Sequence, residues 1–121
     1  MSENILEKII KNKEKKIDFL KKSLSIESLK LKIDENKSFI DFKDKIKKNE
    51  NNDKISIIAE IKKASPSAGI IVENYNPVNI AEIYNKNKIT CLSVLTEEDF
   101  FLGNLLDISK VKQAVRLPIL C

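Results

Sequence analysis

Three short apolar runs, separated by two segments with helical periodicity, dominate the second half of the sequence. The runs cover residues 55–61, 90–95 and 118–121 and are typical of strands buried on both faces. Helix signals cover residues 77–86 and 105–115. This alternation predicts an α/β chain with a parallel sheet. Periodicity leaves a doubly wound fold and a (β/α)8 barrel both open. The absence of a glycine-rich loop after the first run counts against a dinucleotide-binding domain.

The first part of the sequence predicts helices instead of strands. Residues 4–23 carry a narrow apolar stripe, and Asn4 with Glu7 has the spacing of a capping box. Ser25 is a predicted N-cap for a second, shorter helix.

A third helix is predicted to start with Ser38 and Asp41. Its apolar residues are Phe39, Phe42 and Ile46. Residues 47–54 are polar and rich in asparagine, and they predict a loop. This loop is expected to separate the helices from the strands.

Charge divides the chain at the same place. Residues 1–54 hold 15 Lys and 11 acidic residues, whereas residues 55–121 hold seven basic and seven acidic ones. The chain is therefore predicted to have an N-terminal helical extension, residues 1–54, and a second domain, residues 55–121. The basic residues alternate with acidic ones and lack interleaved aromatic residues, which argues against binding to nucleic acid.

Cysteine and histidine usage excludes several classes of site. The sequence has two cysteines, Cys91 and Cys121, and no histidine. Both cysteines lie in apolar runs without the spacing of a zinc or redox site. Acid–base chemistry must therefore use lysines and carboxylates. We find no signal peptide and no apolar run long enough to cross a membrane, and we expect a cytoplasmic protein.

Strand alternation brings an acid and a base together. Glu60 and Lys62 share one face of the first predicted strand, at its C-terminal end, where parallel α/β folds place their active sites. We expect their charged groups to lie within hydrogen-bonding or water-bridged distance, below an irregular loop at residues 65–69. The spacing is compatible with a functional pair and equally with a structural ion pair.

Three ordered motifs carry a resemblance to a known family. They are Ile-Ile-Ala-Glu-Ile-Lys-Lys-Ala-Ser-Pro-Ser-Ala-Gly at residues 57–69, Cys-Leu-Ser-Val-Leu-Thr-Glu-Glu-Asp-Phe-Phe-Leu-Gly at residues 91–103, and Leu-Pro-Ile-Leu-Cys at residues 117–121. They resemble the motifs of the indole-3-glycerol phosphate synthase family. The resemblance implies a partial (β/α)8 TIM barrel, with only the first three strands and two helices, preceded by an N-terminal helical extension.

The resemblance also implies an activity. The family closes the ring of 1-(2-carboxyphenylamino)-1-deoxyribulose 5-phosphate to give indole-3-glycerol phosphate, with loss of carbon dioxide and water, in tryptophan biosynthesis. It uses no metal or organic cofactor. The implied partner is this phosphorylated small molecule, with no nucleic acid and no membrane.

Site residues follow from the motif Glu-x-Lys-x-x-Ser-Pro-Ser and from the second motif. The resemblance implies that Lys62 neutralises anionic parts of the substrate and that Glu60 positions catalytic lysines and takes part in proton transfer. Ser65 is implied to lie near the phosphate. The implied substrate-binding residues, several of which line an apolar pocket for the aromatic ring, are Ser65, Pro66, Ser67, Leu95 and Phe101.

Two positions depart from the family pattern. Asn87 begins Asn-Lys-Ile-Thr where the family has Gly-Gly-Ala-Ala, and Asn87 is expected to take a left-handed cap conformation. Cys121 is the last residue, whereas the family continues with the lysine taken as general acid. We therefore expect an enzyme chain that is inactive alone. The alternatives are one half of a split barrel, completed by a C-terminal complementing fragment, and a non-catalytic fragment that binds a barrel partner.

Overall fold

The computed structural model of the protein describes residues 4–121. They form two compact units, of which the first ends at Phe39 and the second is Ile40–Cys121. In chain order the elements are α1 (Ile5–Ser23), α2 (Ile26–Glu35), α3 (Phe42–Asn51), β1 (Ile58–Ile61), β2 (Ala64–Ser65), β3 (Gly69–Ile70), α4 (Pro77–Lys86), β4 (Cys91–Val94), α5 (Leu106–Ala114) and β5 (Ile119–Leu120).

The first unit contains α1 and α2, and its caps are those the sequence predicts. Asn4 accepts a hydrogen bond from the Glu7 backbone N–H at 2.9 Å, and the Glu7 carboxylate accepts one from the Asn4 N–H at 3.4 Å. Ser25 caps α2 by accepting from the Ser28 N–H at 3.1 Å. Neither helix contains a buried residue. Local capping and propensity therefore account for these helices without a core.

The start of α3 corrects the prediction at Ser38. Asp41 is the N-cap, because its carboxylate accepts from the Asp44 N–H at 2.8 Å. Phe39 lies outside the helix and is 70% exposed. A carboxylate at the N-terminus of a helix also interacts favourably with the positive end of the helix dipole. Asp41 is therefore a stronger N-cap than Ser38.

The end of α3 corrects the loop predicted for residues 47–54. The helix continues to Asn51, supported by an ion pair between Lys48 and Asp44 at 3.0 Å. Asn49 then donates to the hydroxyls of Ser56 at 3.1 Å and Thr90 at 3.2 Å. These tertiary hydrogen bonds override the weak helix propensity of the asparagines. By compactness α3 belongs to the second unit; a domain boundary at residue 54 stays a prediction.

The second unit has the predicted alternation of strands and helices. β1, β4 and β5 form a parallel three-stranded sheet in the order β1-β4-β5. Each strand is shorter than its apolar run. α4 begins as predicted, with Pro77 in the first turn and Asn76 accepting from the Asn79 N–H at 3.1 Å. The left-handed residue after α4 is Lys88, with φ 61°, and not Asn87.

The core lies on one side of this sheet. Its buried residues come from alternate strand positions, from both helices and from the approach to β5: Ala59, Ile61, Ala81, Leu92, Val94, Val111, Val115 and Leu117. The opposite face carries Ile58 and Leu120, which are 48% and 52% exposed. The sheet is therefore packed on its helix side and open over much of the other.

The segment after β1 is more ordered than predicted. β2 and β3 pair as a small antiparallel hairpin, with Ala64 opposite Ile70 and Ser65 opposite Gly69. Gly69 has φ 67°, which a side chain would disfavour and which permits the tight turn. The irregular loop expected at residues 65–69 is thus the turn of a hairpin.

Candidate active site

Glu60 and Lys62 meet at the carboxyl end of β1. The Lys62 ammonium lies 2.8 Å from the Glu60 carboxylate. Glu60 is level with Ser93 of β4, which in turn is level with Leu120 of β5. Paired positions of a parallel sheet share a face, so the ion pair lies on the open face. The predicted geometry is confirmed, whereas the catalytic role stays a prediction.

Exposure indicates what this ion pair can do. The side chains of Lys62 and Glu60 retain 32% and 48% of their accessible surface. A partly solvated pair of this kind stabilises a fold by at most about 1 kcal/mol. Both charges therefore remain accessible to a ligand on the open side of the sheet.

Tyr84 of α4 holds the same strand from its outer edge. Ile57 and Ile61 direct their carbonyls to β4, accepting from the N–H groups of Cys91 at 3.2 Å and Leu95 at 3.1 Å. By alternation the Glu60 carbonyl points to the opposite edge, and there it accepts from the Tyr84 hydroxyl at 3.1 Å. The backbone beneath the ion pair is consequently fixed on both sides.

The hairpin places two serines close together above β1. The hydroxyls of Ser65 and Ser67 lie 3.4 Å apart, and Ser65 accepts from the Ala68 N–H at 3.2 Å. Ser65 is half-buried, whereas Pro66 and Ser67 are exposed. The Lys63 carbonyl closes the hairpin by accepting from the Ile71 N–H at 2.8 Å. The turn therefore presents two hydroxyl groups on an ordered backbone.

The loop after β4 carries the remaining predicted residues. Leu95 directly follows β4 and Phe101 lies six residues further on; both are half-buried. The Thr96 hydroxyl lies 3.4 Å from the Cys121 thiol and joins this loop to the end of β5. The loops after β1 and β4 thus begin at the same edge of the sheet, as the carboxyl ends of parallel strands must.

Two residues of this loop escaped the sequence analysis. The Glu97 carboxylate accepts from three backbone N–H groups of the loop. Gly103 passes so close to Leu95 that an added Cβ would lie 2.2 Å from the Leu95 carbonyl oxygen. The sequence offered two signals for them, the acidic run at residues 97–99 and the glycine at residue 103. Neither signal alone distinguishes an ordered loop from a solvated one.

Electrostatic perturbations occur away from the ion pair. Burial raises the pKa of the Cys91 thiol, and nearby Lys45 opposes that rise. Burial, with a smaller contribution from Asp107, raises the pKa of Tyr75 to about 12. Both groups are therefore neutral at pH 7.

Residues 4–121 include no group of three or more His, Cys, Asp or Glu side chains arranged to hold a metal ion. Within the same range, no helix is both long enough and apolar enough to cross a lipid bilayer.

Comparisons with known proteins identify the family. The family model for indole-3-glycerol phosphate synthase matches residues 6–121. The chain is 43% identical over 119 residues to the indole-3-glycerol phosphate synthase of Microcystis aeruginosa, a match that covers 98% of this chain and 40% of that protein. It is 39% identical over 118 residues to the synthase of Trichodesmium erythraeum, covering 98% of this chain and 39% of that protein. It is 42% identical over 118 residues to that of Rippkaea orientalis, covering 98% of this chain and 40% of that protein.

These relatives share one name, and the chain spans about 40% of the length of the curated relatives that it matches. The match begins in α1 and continues through β5, so it includes the helices, the hairpin and the loop after β4. The chain belongs to the indole-3-glycerol phosphate synthase family.

Proposed function

We propose that this chain supplies the N-terminal part of an enzyme that closes 1-(2-carboxyphenylamino)-1-deoxyribulose 5-phosphate to indole-3-glycerol phosphate, with loss of carbon dioxide and water. The observation that carries the proposal is the accessible Glu60–Lys62 ion pair at the carboxyl end of β1. Family membership supplies the reaction, which belongs to tryptophan biosynthesis.

Lys62 is the proposed anion-binding residue. An ammonium group has three N–H donors, and the contact with Glu60 occupies one of them. Two donors remain for the carboxylate or phosphate of the substrate, as charge-assisted hydrogen bonds. Glu60 restrains the lysine side chain and so lowers the entropy cost of holding it against the substrate. Glu60 is also the proposed participant in proton transfer at this end of the sheet.

Polar and apolar groups around the pair match the two ends of the substrate. Ser65 and Ser67 offer hydroxyl donors for the phosphate, 3.4 Å apart. Pro66, Leu95 and Phe101 offer apolar surface for the aromatic ring. An apolar surrounding favours loss of carbon dioxide, because it weakens the solvation of the substrate carboxylate.

The proposed activity needs more than this chain. The resemblance assigns the general acid to a lysine after Cys121, and it assigns the general base and the phosphate loops to later strands. We therefore propose that the 121-residue chain alone is inactive and that a C-terminal part completes a (β/α)8 barrel. The proposed enzyme is a cytoplasmic lyase that uses no metal or organic cofactor.

A full-length chimera tests this proposal. In it, residues 1–121 replace the matched segment of the Microcystis aeruginosa synthase, and formation of indole-3-glycerol phosphate is measured. We expect activity from the chimera and none above a buffer blank from the isolated chain. Lys62→Ala should lower kcat/KM by about 100- to 1,000-fold, in the range for loss of one electrostatic group. Lys86→Ala, which removes an exposed lysine of α4, is the matched control.

An inactive chimera, or one whose activity survives Lys62→Ala, contradicts the proposal. Turnover by the isolated chain that disappears on Lys62→Ala would show that the fragment is itself an enzyme.

The split-enzyme alternative is supported by the two edges of the sheet, on β1 and β5, because no other strand of the described part of the chain pairs with them. Co-expression of this chain with the rest of the Microcystis aeruginosa synthase as a separate polypeptide tests it. Activity from the pair shows that the two parts assemble without a covalent link. Stable association without activity supports the non-catalytic fragment instead.

A further inference from the structure

Glu97 organises the loop that follows β4. One carboxylate oxygen accepts from the Asp99 N–H at 3.1 Å, and the other accepts from the N–H groups of Phe100 at 2.7 Å and Phe101 at 3.1 Å. The side chain is thus turned into its own loop. Its two oxygens are directed at backbone donors and not at the open side of the sheet.

The backbone closes the same loop. The Gly103 N–H donates to the Glu97 carbonyl at 2.8 Å, and this hydrogen bond closes the loop formed by residues 97–103. Leu102 has φ 52°, a left-handed conformation, and Gly103 follows it against the Leu95 backbone. A side chain at residue 103 would overlap that backbone, which explains why glycine is needed at this point.

In this loop, one carboxylate accepts the hydrogen bonds that backbone N–H groups would otherwise donate within a helix or a sheet. Backbone N–H groups without partners are costly when shielded from water, and loops without regular structure are usually mobile. Three charge-assisted bonds to one side chain satisfy these donors and fix the backbone at Phe101. Glu97 therefore holds the backbone from which the Phe101 ring projects.

We propose that Glu97 is a positioning residue of the substrate site, acting through Phe101. This inference rests on the proposed function, which assigns Phe101 to the apolar pocket for the aromatic ring. Gly103 contributes as well, because only glycine lets the loop approach the backbone of Leu95, another residue assigned to that pocket. One loop thus carries both an aromatic and an aliphatic residue of the proposed pocket. The carboxylate at its centre binds backbone N–H groups and does not contact the substrate.

The test uses the full-length chimera with Glu97→Ala, Glu97→Gln and the control Glu98→Gln, an exposed neighbour of the same chemistry. We expect Glu97→Ala to lower kcat/KM by about tenfold to 100-fold, mainly through KM, because the ring pocket is lost and the charged groups are kept. Glu97→Gln keeps one acceptor oxygen and should lower kcat/KM by about threefold. Glu98→Gln should change it by less than about twofold.

A double-mutant cycle with Phe101→Ala separates positioning from a general structural role. If Glu97 acts through Phe101, then Glu97→Ala should have almost no further effect on kcat/KM in the Phe101→Ala background. Equal effects in both backgrounds would overturn the proposal, as would a Phe101→Ala variant with unchanged KM.

Amide hydrogen exchange gives a readout that does not need activity. In the chimera, Glu97→Ala should accelerate exchange of the Phe100 and Phe101 amides by about tenfold or more, while the β4 amides keep their protection. Unchanged exchange at these two amides would overturn the proposal even if the chimera were inactive. An inactive chimera with accelerated exchange would instead contradict the proposed function and leave Glu97 as the residue that orders the loop.

Discussion

The two faces of the β1-β4-β5 sheet are made from the same strands but differ sharply in burial. On the helix side, Ile61 and Leu92 are 0% exposed and Val94 is 1% exposed. On the other side, Ile58 and Leu120 are 48% and 52% exposed, although they are just as apolar. Hydrophobic side chains on both faces are typical of a strand that is covered on both sides. The helix side is completed within this chain, whereas the open face requires a cover.

At the amino end of the open face, only the central strand β4 is already covered. Cys91 of β4 is level with Ile58 of β1, yet Cys91 is 0% exposed whereas Ile58 is 48% exposed. At this end Asn49 of α3 ties together the segments that enter β1 and β4. The uncovered part therefore comprises Ile58 on the edge strand β1 and the carboxyl half of the face, which also carries the proposed active site.

The largest expected effect comes from the open face itself. We expect the isolated chain to aggregate or to be only partly ordered, because apolar surface and two strand edges are exposed. Replacing Ile58 and Leu120 together with serine should reduce light scattering by the isolated chain. In the chimera the same pair should cost roughly 4 kcal/mol or more of unfolding free energy. A monomeric unsubstituted chain with one cooperative urea transition would contradict this prediction.

Leu92→Ala tests the covered face. Leu92 is 0% exposed within the core, so the substitution should destabilise the chimera by about 2–5 kcal/mol in a urea melt. Leu105→Ala, at a residue that is 65% exposed, should change stability by less than about 0.5 kcal/mol. Similar values for the two variants would mean that the helix side is not the main core.

Asn49→Ala tests whether the hydrogen bonds of α3 hold the cover over Cys91 at the amino end of the open face. It removes two donated hydrogen bonds, one of them to Thr90, which is 4% exposed. We expect a loss of about 1–2 kcal/mol in the chimera, measured by urea unfolding. Asn51→Ala, at an exposed position of the same helix, is the control and should lie within about 0.5 kcal/mol of the parent. A neutral Asn49→Ala would assign the burial of Cys91 to other residues.

Tyr75→Phe should have the smallest effect. It tests an unsatisfied hydroxyl group that packs against the core. The Tyr75 hydroxyl is buried and has no hydrogen-bond partner among residues 4–121, so its removal should be neutral or stabilise by up to about 1 kcal/mol at pH 7. The folded-state pKa of Tyr75 is about 12, above its ordinary value of 10.0. Below pH 10 the proton is bound in both the folded and the unfolded state, so Tyr75 adds no pH dependence. As the pH rises from 10 towards 12, the unfolded state loses the proton first, and Tyr75 lowers the free energy of unfolding.

The comparison at high pH checks the sign of this linkage. Urea midpoints of the chimera and its Tyr75→Phe variant, measured at pH 7 and pH 11, should show a smaller alkaline loss in the variant. A variant that loses more stability than its parent at pH 11 would mean that the folded state stabilises the ionised Tyr75 hydroxyl, which contradicts its raised pKa.

Sequence reasoning succeeded where signals were local or strictly periodic. The Asn4–Glu7 capping box is a spacing of three residues, and the Glu60–Lys62 pair follows from strand alternation. It failed where distant contacts decided the outcome. The extension of α3 through Asn49 depends on hydroxyls up to 41 residues away, which no local pattern reveals.

The loops show a second limit. The two strands of the hairpin have only two residues each, too few for alternation to be visible, so only the turn signal of Pro66 and Gly69 was available. Glu97 acts through backbone N–H groups, and these donors carry no sequence signature. The proposed substrate contacts therefore stay predictions from the motifs, whereas the proposed positioning role of Glu97 could be inferred only from the hydrogen bonds of the loop.

The hydrogen bond from Tyr84 to the Glu60 carbonyl has a consequence for synthesis of the protein. In the proposed closed barrel, the outer edge of β1 pairs with the last strand to leave the ribosome. Translation at about 5–20 residues per second delays that strand by roughly ten seconds or more after β1 has formed. Tyr84 lies only 24 residues after Glu60, so its hydroxyl is available almost at once. Until the last strand is made, the Tyr84 hydroxyl therefore satisfies the Glu60 carbonyl on the outer edge of β1. This edge then has one free acceptor fewer to which a neighbouring nascent chain could add a strand.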